Sequence, residues 1–229
     1  MDLTACKRPM LTAMETGRNG TVHNRVYETV RHELMIGDLK PGQAVSIRYL
    51  VNRFNISTTP ARQTIERLRA DRVLVIGANR TPTVPVLNRD GLYDLRDTRV
   101  ALEGLATEKA SGYISPSDLL KLDAHMDNMH RAIRADNADG YLLNNWSFHH
   151  IIYQSAHSPL MLGIIETLWA RAGPLFRLAL PSKGHAANSM AHHVRALDAL
   201  KKGDAVAARA AIENDIKSAA EDIAHALPD

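Results

Sequence analysis

"SIRYLVNRFNISTTPARQTIERLRADRVLVIGANRTPTVPVL", residues 46–87, holds two apolar stripes at helical spacing followed by an alternating tail. In the first stripe Ile47, Leu50, Val51 and Phe54 form one face of a short helix. After a tight "NIS" a further helix turns Ile65 and Leu68 inward and Arg62, Arg67 and Arg69 outward. Ser57 or Thr59 can cap it, because a hydroxyl there accepts orphan backbone N–H groups, and Pro60 sits in the first turn, where its missing donor costs little. The residues around "GANRTP" then alternate apolar and polar, the pattern of a two-stranded hairpin.

Upstream, "VHNRVYETVRHELMIG" places Val22, Val26, Val30 and Leu34 on one helical face and stops at Gly37, with Pro41-Gly42 as the following turn. Helix, helix-turn-helix and wing, in that order, make a winged helix. Such a unit sets its second helix-turn-helix member in the major groove, with side chains near that helix's start at the base edges. Ser57, Thr58, Thr59 and Arg62 stand at those positions, Arg67 and Arg69 on the same outward side are further candidate DNA contacts, and Arg48 and Arg80 suit phosphates or the minor groove. The charge distribution agrees. Residues 1–85 carry 13 Lys and Arg against 7 Asp and Glu, and residues 86–229 carry 15 against 18. A basic front part with an acidic remainder points to a polyanion partner for the front alone, and double-stranded DNA is the one a winged helix takes.

With 229 residues and 45% apolar composition the chain can bury a sizeable core. Its single cysteine, Cys6, excludes a disulfide framework and a zinc-thiolate site. Residues 1–20 lack the apolar run of a signal peptide and no segment reaches membrane length, so they read as a flexible tail on a cytoplasmic protein without membrane contact. No glycine-rich phosphate loop, nucleophile elbow or repeat is visible.

Beyond residue 88 the pattern is helical throughout: about six helices joined by short breaks such as "DNADG", "SP", "PSKGHAA" and "KGD" predict an antiparallel all-α bundle. Leu92, Leu95, Val100, Leu102 and Leu105 lie in register in its first helix. Asn145 and His149, one turn apart, can converge on one interior point, whereas His150 turns about 100° away. In "MAHHVRALDAL" the stripe of Val194, Leu197 and Ala199 or Leu200 lies nearer to His193 than to His192. In "AAIENDIKSA" Asp215 falls on the side of Ala211, and a lone carboxylate there is costly to bury without a cation. Two imidazoles, one carboxylate and the Asn145 oxygen would leave positions open for water or a small carboxylate.

Two stretches resemble a known family. "GDLKPGQAVSIRYLVNRFNISTTPARQTIERLRADRVL" looks like the DNA-binding domain of GntR-type transcription regulators, with Thr58 where those usually carry an arginine that helps read DNA and Gln63 where they carry glutamate. The second part resembles the FCD effector domain of the FadR-like branch: "R-x-x-L-E" at Arg99 to Glu103, "D-x-x-F-H" at Asn145 to His149, and "H-x-x-x-x-x-A-L-x-x-G-D" at His193 to Asp204. The expected layout is the tail over 1–20, then a winged-helix domain over 21–87 and an FCD-type domain over 88–229, the last two as the resemblance implies. The resemblance further implies homodimers on palindromic operators, a divalent metal ion (Zn, Ni or Mn) on Asn145, His149, His193 and Asp215, and a small organic acid held at that pocket by His149, His193 and Arg99. Arg171 or Arg177 would extend the basic lining. Family aspartate and histidine are exchanged here for Asn145 and Asp215, so the number of carboxylates is unchanged. The expected function is ligand-responsive regulation, as repressor or activator, and not catalysis. Competing readings are a metal-free anion pocket, a metal-dependent enzyme with a two-histidine, one-carboxylate centre, and a helical adaptor.

Overall fold

A computed structural model describes residues 21–77, 80–180 and 183–227. The expected tail with Cys6, and Ala78 and Asn79 of the hairpin, lie outside the described residues. The chain is mostly α. Its head begins with α1 (Val22–Met35), whose Val26, Val30 and Leu34 are buried while Val22, expected on the same face, is exposed at the helix start. The helix-turn-helix pair is α2 (Ile47–Phe54) and α3 (Thr58–Ala70), with Asn55 left-handed between them. Ser46 caps α2 through the Tyr49 N–H. Ser57 stands at the cap position of α3 but accepts no backbone N–H, and Thr59 lies inside the first turn, so the expected hydroxyl cap is not formed. Instead Ser57, Thr58 and Thr59 are exposed. The wing is short: β1 (Val75–Ile76) pairs antiparallel with β2 (Pro82–Thr83), and Ala44 bridges to Thr83 on its other side.

Six helices follow: α4 (Arg89–Ala110), α5 (Pro116–Arg134), α6 (Ala138–Ser155), α7 (Pro159–Ala179), α8 (Lys183–Lys202) and α9 (Ala205–Ala226). Asn88, Ser115, Asn137 and Asp204 cap four of them through side-chain oxygens. The break expected over "PSKGHAA" is shorter than its composition suggests, since α8 is already helical from Lys183. Helix α9 packs on α4, α7 and α8 with Ala208, Ala211, Ala219 and Ala220 buried, small residues that let its neighbours approach closely. Two expected core positions face outward: Leu105 and Val194 are exposed. Both helices keep buried apolar residues, Leu92 and Leu95 on α4 and Leu197 and Leu200 on α8, but share the interior with polar ones, Arg99 and Glu103 on α4 and His193 on α8. Among the described residues no helix is long and apolar enough to cross a membrane.

Head and bundle meet where α1 lies on α7. Gly173 touches the end of α1 so closely that a Cβ there would stand 2.1 Å from the Leu34 carbonyl oxygen. Arg31 pairs across this seam with Glu166, and Arg177 donates to the Gly37 carbonyl and pairs with Asp38 and Asp139. Arg177 therefore clamps the two parts together and does not line the expected ligand pocket.

Candidate metal centre

Three helices of the bundle bring His149, His193 and Asp215 to one buried point. The His149 Nε2 lies 3.1 Å from the His193 Nε2 and 3.3 Å from the Asp215 Oδ2, and the His193 Nε2 is 3.5 Å from that oxygen. Donors that share one small divalent ion at about 2.1 Å stand about 3.0 Å apart in octahedral and about 3.4 Å apart in tetrahedral order, so this triangle has the size such an ion requires.

The surroundings set the protonation of the triangle. The Tyr153 hydroxyl donates to Glu103 and therefore accepts from His149 Nδ1–H at 2.9 Å, which leaves the His149 Nε2 lone pair directed inward. Burial pushes the His149 imidazole below its usual range. Burial alone would raise the Asp215 carboxyl, but the neighbouring His193 imidazole holds it well below the usual carboxylate range. Its other oxygen accepts from the Ser189 hydroxyl at 2.8 Å. A neutral imidazole beside an ionised carboxylate is the state that binds metal.

Among the described residues three buried atoms next to the triangle lack a hydrogen-bond partner, the Asn145 Oδ1, the His193 Nδ1 and the Tyr141 hydroxyl. Asn145 lines the same small cavity as Asp215, together with Arg99, Trp169 and Phe176. An orphaned amide oxygen on that wall suits a fourth donor. Free volume in the cavity is about 10 Å³, room for about one water molecule and too little for an organic acid.

Arg99 lies in this wall but is engaged. Its Nε donates to Glu103 at 2.6 Å and its Nη2 at 3.2 Å, and the guanidinium sits 4.7 Å from the Trp169 ring centroid. The fully buried Glu103 also accepts from Trp169 Nε1 at 2.9 Å. Four donated hydrogen bonds thus offset the desolvation of one carboxylate. Arg171 is not part of the centre; it lines a separate cleft with Arg69 and Arg72. Sequence reasoning missed Tyr153, Ser189 and Trp169 as parts of the centre. The signal for the first two was spacing: Tyr153 follows His149 by one turn and Ser189 precedes His193 by one turn.

In the head Arg48, Ser57, Thr58, Thr59, Arg62 and Arg80 are exposed. Arg67 turns back onto α1, with its guanidinium 3.6 Å from the Tyr27 ring centroid and a bond to Asn24 at 3.1 Å, so it braces the head.

Comparison with known proteins gives two family matches, "Bacterial regulatory proteins, gntR family" over residues 22–83 and "FCD domain" over residues 94–218. The HTH-type transcriptional regulator McbR of Escherichia coli (strain K12) is 29% identical over 150 residues, 66% of this chain and 68% of McbR. The HTH-type transcriptional repressor RspR of the same organism is 22% identical over 212 residues, 92% of this chain and 93% of RspR. The solved structure of E. coli McbR/YncC shares the fold with a TM-score of 0.80 at 24% identity, covering 87% of this chain and 95% of that one.

Proposed function

The chain belongs to the GntR family, in the branch that carries an FCD domain, and is a DNA-binding transcriptional regulator of that type; from this premise we propose that a divalent metal ion and a small organic acid control its grip on operator DNA. One observation carries the proposal: the buried triangle of His149, His193 and Asp215, of metal-binding size and with the His149 lone pair directed inward. These three residues would hold the ion, with Asn145 as a further oxygen donor. When bound, the ion supplies positive charge and open positions that a carboxylate can fill. Arg99, at the cavity wall, is the second cation for that carboxylate once its bond to Glu103 is shared.

A ligand shifts an equilibrium only by binding two arrangements unequally. With room for about one water, the closed cavity has no place for an organic acid, so an acid selects an arrangement in which a wall helix has moved outward. Helix α7 is suited to that movement because it has two working faces. Trp169 and Phe176 line the cavity, whereas Glu166, Gly173 and Arg177 hold the head. Displacement of α7 therefore changes the seat of α1. A typical coupling of about 1–3 kcal/mol would alter operator affinity roughly 5–150-fold.

The DNA contacts proposed are Ser57, Thr58, Thr59 and Arg62 toward base edges and Arg48 and Arg80 toward the backbone. Two copies would read a palindromic operator. Leu160 and Ile164, one turn apart on α7 and both exposed, support a surface that a second copy covers. Light scattering on the purified chain tests this, and a monomer at micromolar concentration counts against it.

The decisive experiment is a gel shift with the DNA upstream of the protein's own gene. The chain is loaded with Zn, Ni or Mn or stripped by chelator, then titrated with a panel of small organic acids. An acid should change the shift only in the loaded protein. A response that persists in stripped protein and survives His149→Ala would move the effector away from the centre; the absence of any shift would remove the operator reading.

A further inference from the structure

A second cleft lies on the seam between head and bundle, with a volume of about 420 Å³. Its walls are the end of α3, the turn after it, β1, the irregular segment 85–87 leading into α4, and α7. Arg69, Arg72 and Arg171 line it. Among the described residues none of the three has a carboxylate partner, although Arg31, Arg53, Arg96, Arg99, Arg177 and Arg209 each have one. The Arg171 Nε is buried without a hydrogen-bond partner. Arg72 is held at φ 56, a left-handed backbone that arginine rarely adopts.

Arg69 and Arg72 stand exposed and, among the described residues, without a carboxylate on this open cleft, where solvent screens their repulsion, and the buried Arg171 N–H without an acceptor carries a desolvation penalty. An anion in the cleft removes that cost. The rest of the lining is apolar and wet: Val75, Ile76 and Val86 are 42%, 48% and 67% exposed. Such a wall suits an aliphatic body, and the volume falls in the range of small-molecule sites. The geometry favours a small anion over the DNA contact expected of Arg69. Arg69 lies eleven residues beyond Thr58, about 16 Å along the helix from the end presented to base edges, and the facing wall is α7 of the bundle.

We propose that this cleft is a second anion site, separate from the metal centre, which takes an organic acid or organic phosphate with a short aliphatic body and holds its head group between Arg69, Arg72 and Arg171. Because the arginines come from both parts of the molecule, a ligand there ties the head to the bundle. The proposal does not depend on metal at the other site.

Calorimetric titration of the chelator-treated full-length chain with octanoate, octyl phosphate and inorganic phosphate tests it. Saturable binding of one octanoate or octyl phosphate per chain is expected, the stronger of the two naming the head group, with inorganic phosphate weaker because it has no apolar body. Arg171→Met and Arg69→Gln should each weaken binding at least about tenfold, the loss of one charged hydrogen bond, while His149→Ala leaves it unchanged. Circular dichroism melting checks the fold, and Arg72→Gln replaces any variant that fails to fold. The proposal is overturned if no probe saturates, if the arginine variants bind like wild type, or if His149→Ala abolishes binding. It also falls if Arg69→Gln lowers operator affinity of ligand-free protein as much as Arg62→Gln, since these arginines would then serve DNA.

Discussion

His149 and His193, on α6 and α8, bring their Nε2 atoms within 3.1 Å of each other in the buried centre of the bundle. His149 spends its Nδ1–H on Tyr153, so without a cation His193 must donate from Nε2 and leave its Nδ1 unpartnered. A divalent ion lets both lone pairs point inward. At a hundredfold excess over Kd, zinc should stabilise the protein by about 2.7 kcal/mol, a melting shift of roughly 5–10 °C for a chain of this size. Scanning fluorimetry should show no such shift for His149→Ala or His193→Ala, and an equal shift in both variants would place the ion elsewhere.

Tyr153→Phe removes the acceptor that fixes the His149 tautomer while keeping the ring in the core. Outer partners of metal-bound histidines are worth about 10–100-fold in affinity, and a loss of that size is expected in competition with a chromophoric chelator. Unchanged affinity would mean that Tyr153 does not orient the imidazole.

Arg99→Met leaves Glu103 buried with only the Tyr153 and Trp169 donors. Breaking one side of a buried pair costs about 3–5 kcal/mol, which urea unfolding can measure. The double variant Arg99→Met/Glu103→Gln should recover part of that loss. A double variant as unstable as the single one would show that packing of Arg99 on Trp169, and not charge, is what matters.

The head was legible in the sequence because local signals act there: apolar spacing, a turn at "NIS" and alternation around the wing. The bundle was legible in element number, since breaks such as "DNADG", "SP" and "KGD" fall where helices end, Asp136 and His157 turning left-handed at two of them. Its interior faces were harder. Apolarity placed Leu92, Leu95, Leu197 and Leu200 inside correctly and Val194 and Leu105 wrongly, because the centre puts Arg99, Glu103 and His193 on the interior of α4 and α8. His193 over His192, and Asp215 on the side of Ala211, followed from helical phase alone. Arg171 could not be placed by phase, because its surroundings come from α3 and the wing, far off in sequence.

Burial holds the His32 imidazole on α1 below its usual range, despite nearby Asp38. The unfolded chain takes up a proton near the ordinary histidine value of about 6.5, where the folded chain does not, so the folded state loses stability as pH falls through that value. His149 acts in the same direction. The urea midpoint should therefore drop between pH 7.5 and 5.5, and the drop should be smaller in His32→Gln. An identical pH profile in that variant would remove His32 from the account.

Gly173 tests the seam. A methyl group there would stand 2.1 Å from the Leu34 oxygen and 2.5 Å from the Met35 oxygen, both backbone atoms of the end of α1, so the head must move away from α7. Overpacking of this kind costs about 1–3 kcal/mol. Gly163 offers the control: on the same helix, with nothing within 4 Å of its added Cβ, Gly163→Ala should stabilise by about 0.5–1 kcal/mol through helix propensity alone. If α7 transmits the state of the cavity, Gly173→Ala should also shrink the change in operator affinity that an acid produces, while metal affinity stays at the wild-type value. A variant that is destabilised yet responds to the acid in full would show that the head takes its signal through another contact, and the α7 coupling would have to be abandoned.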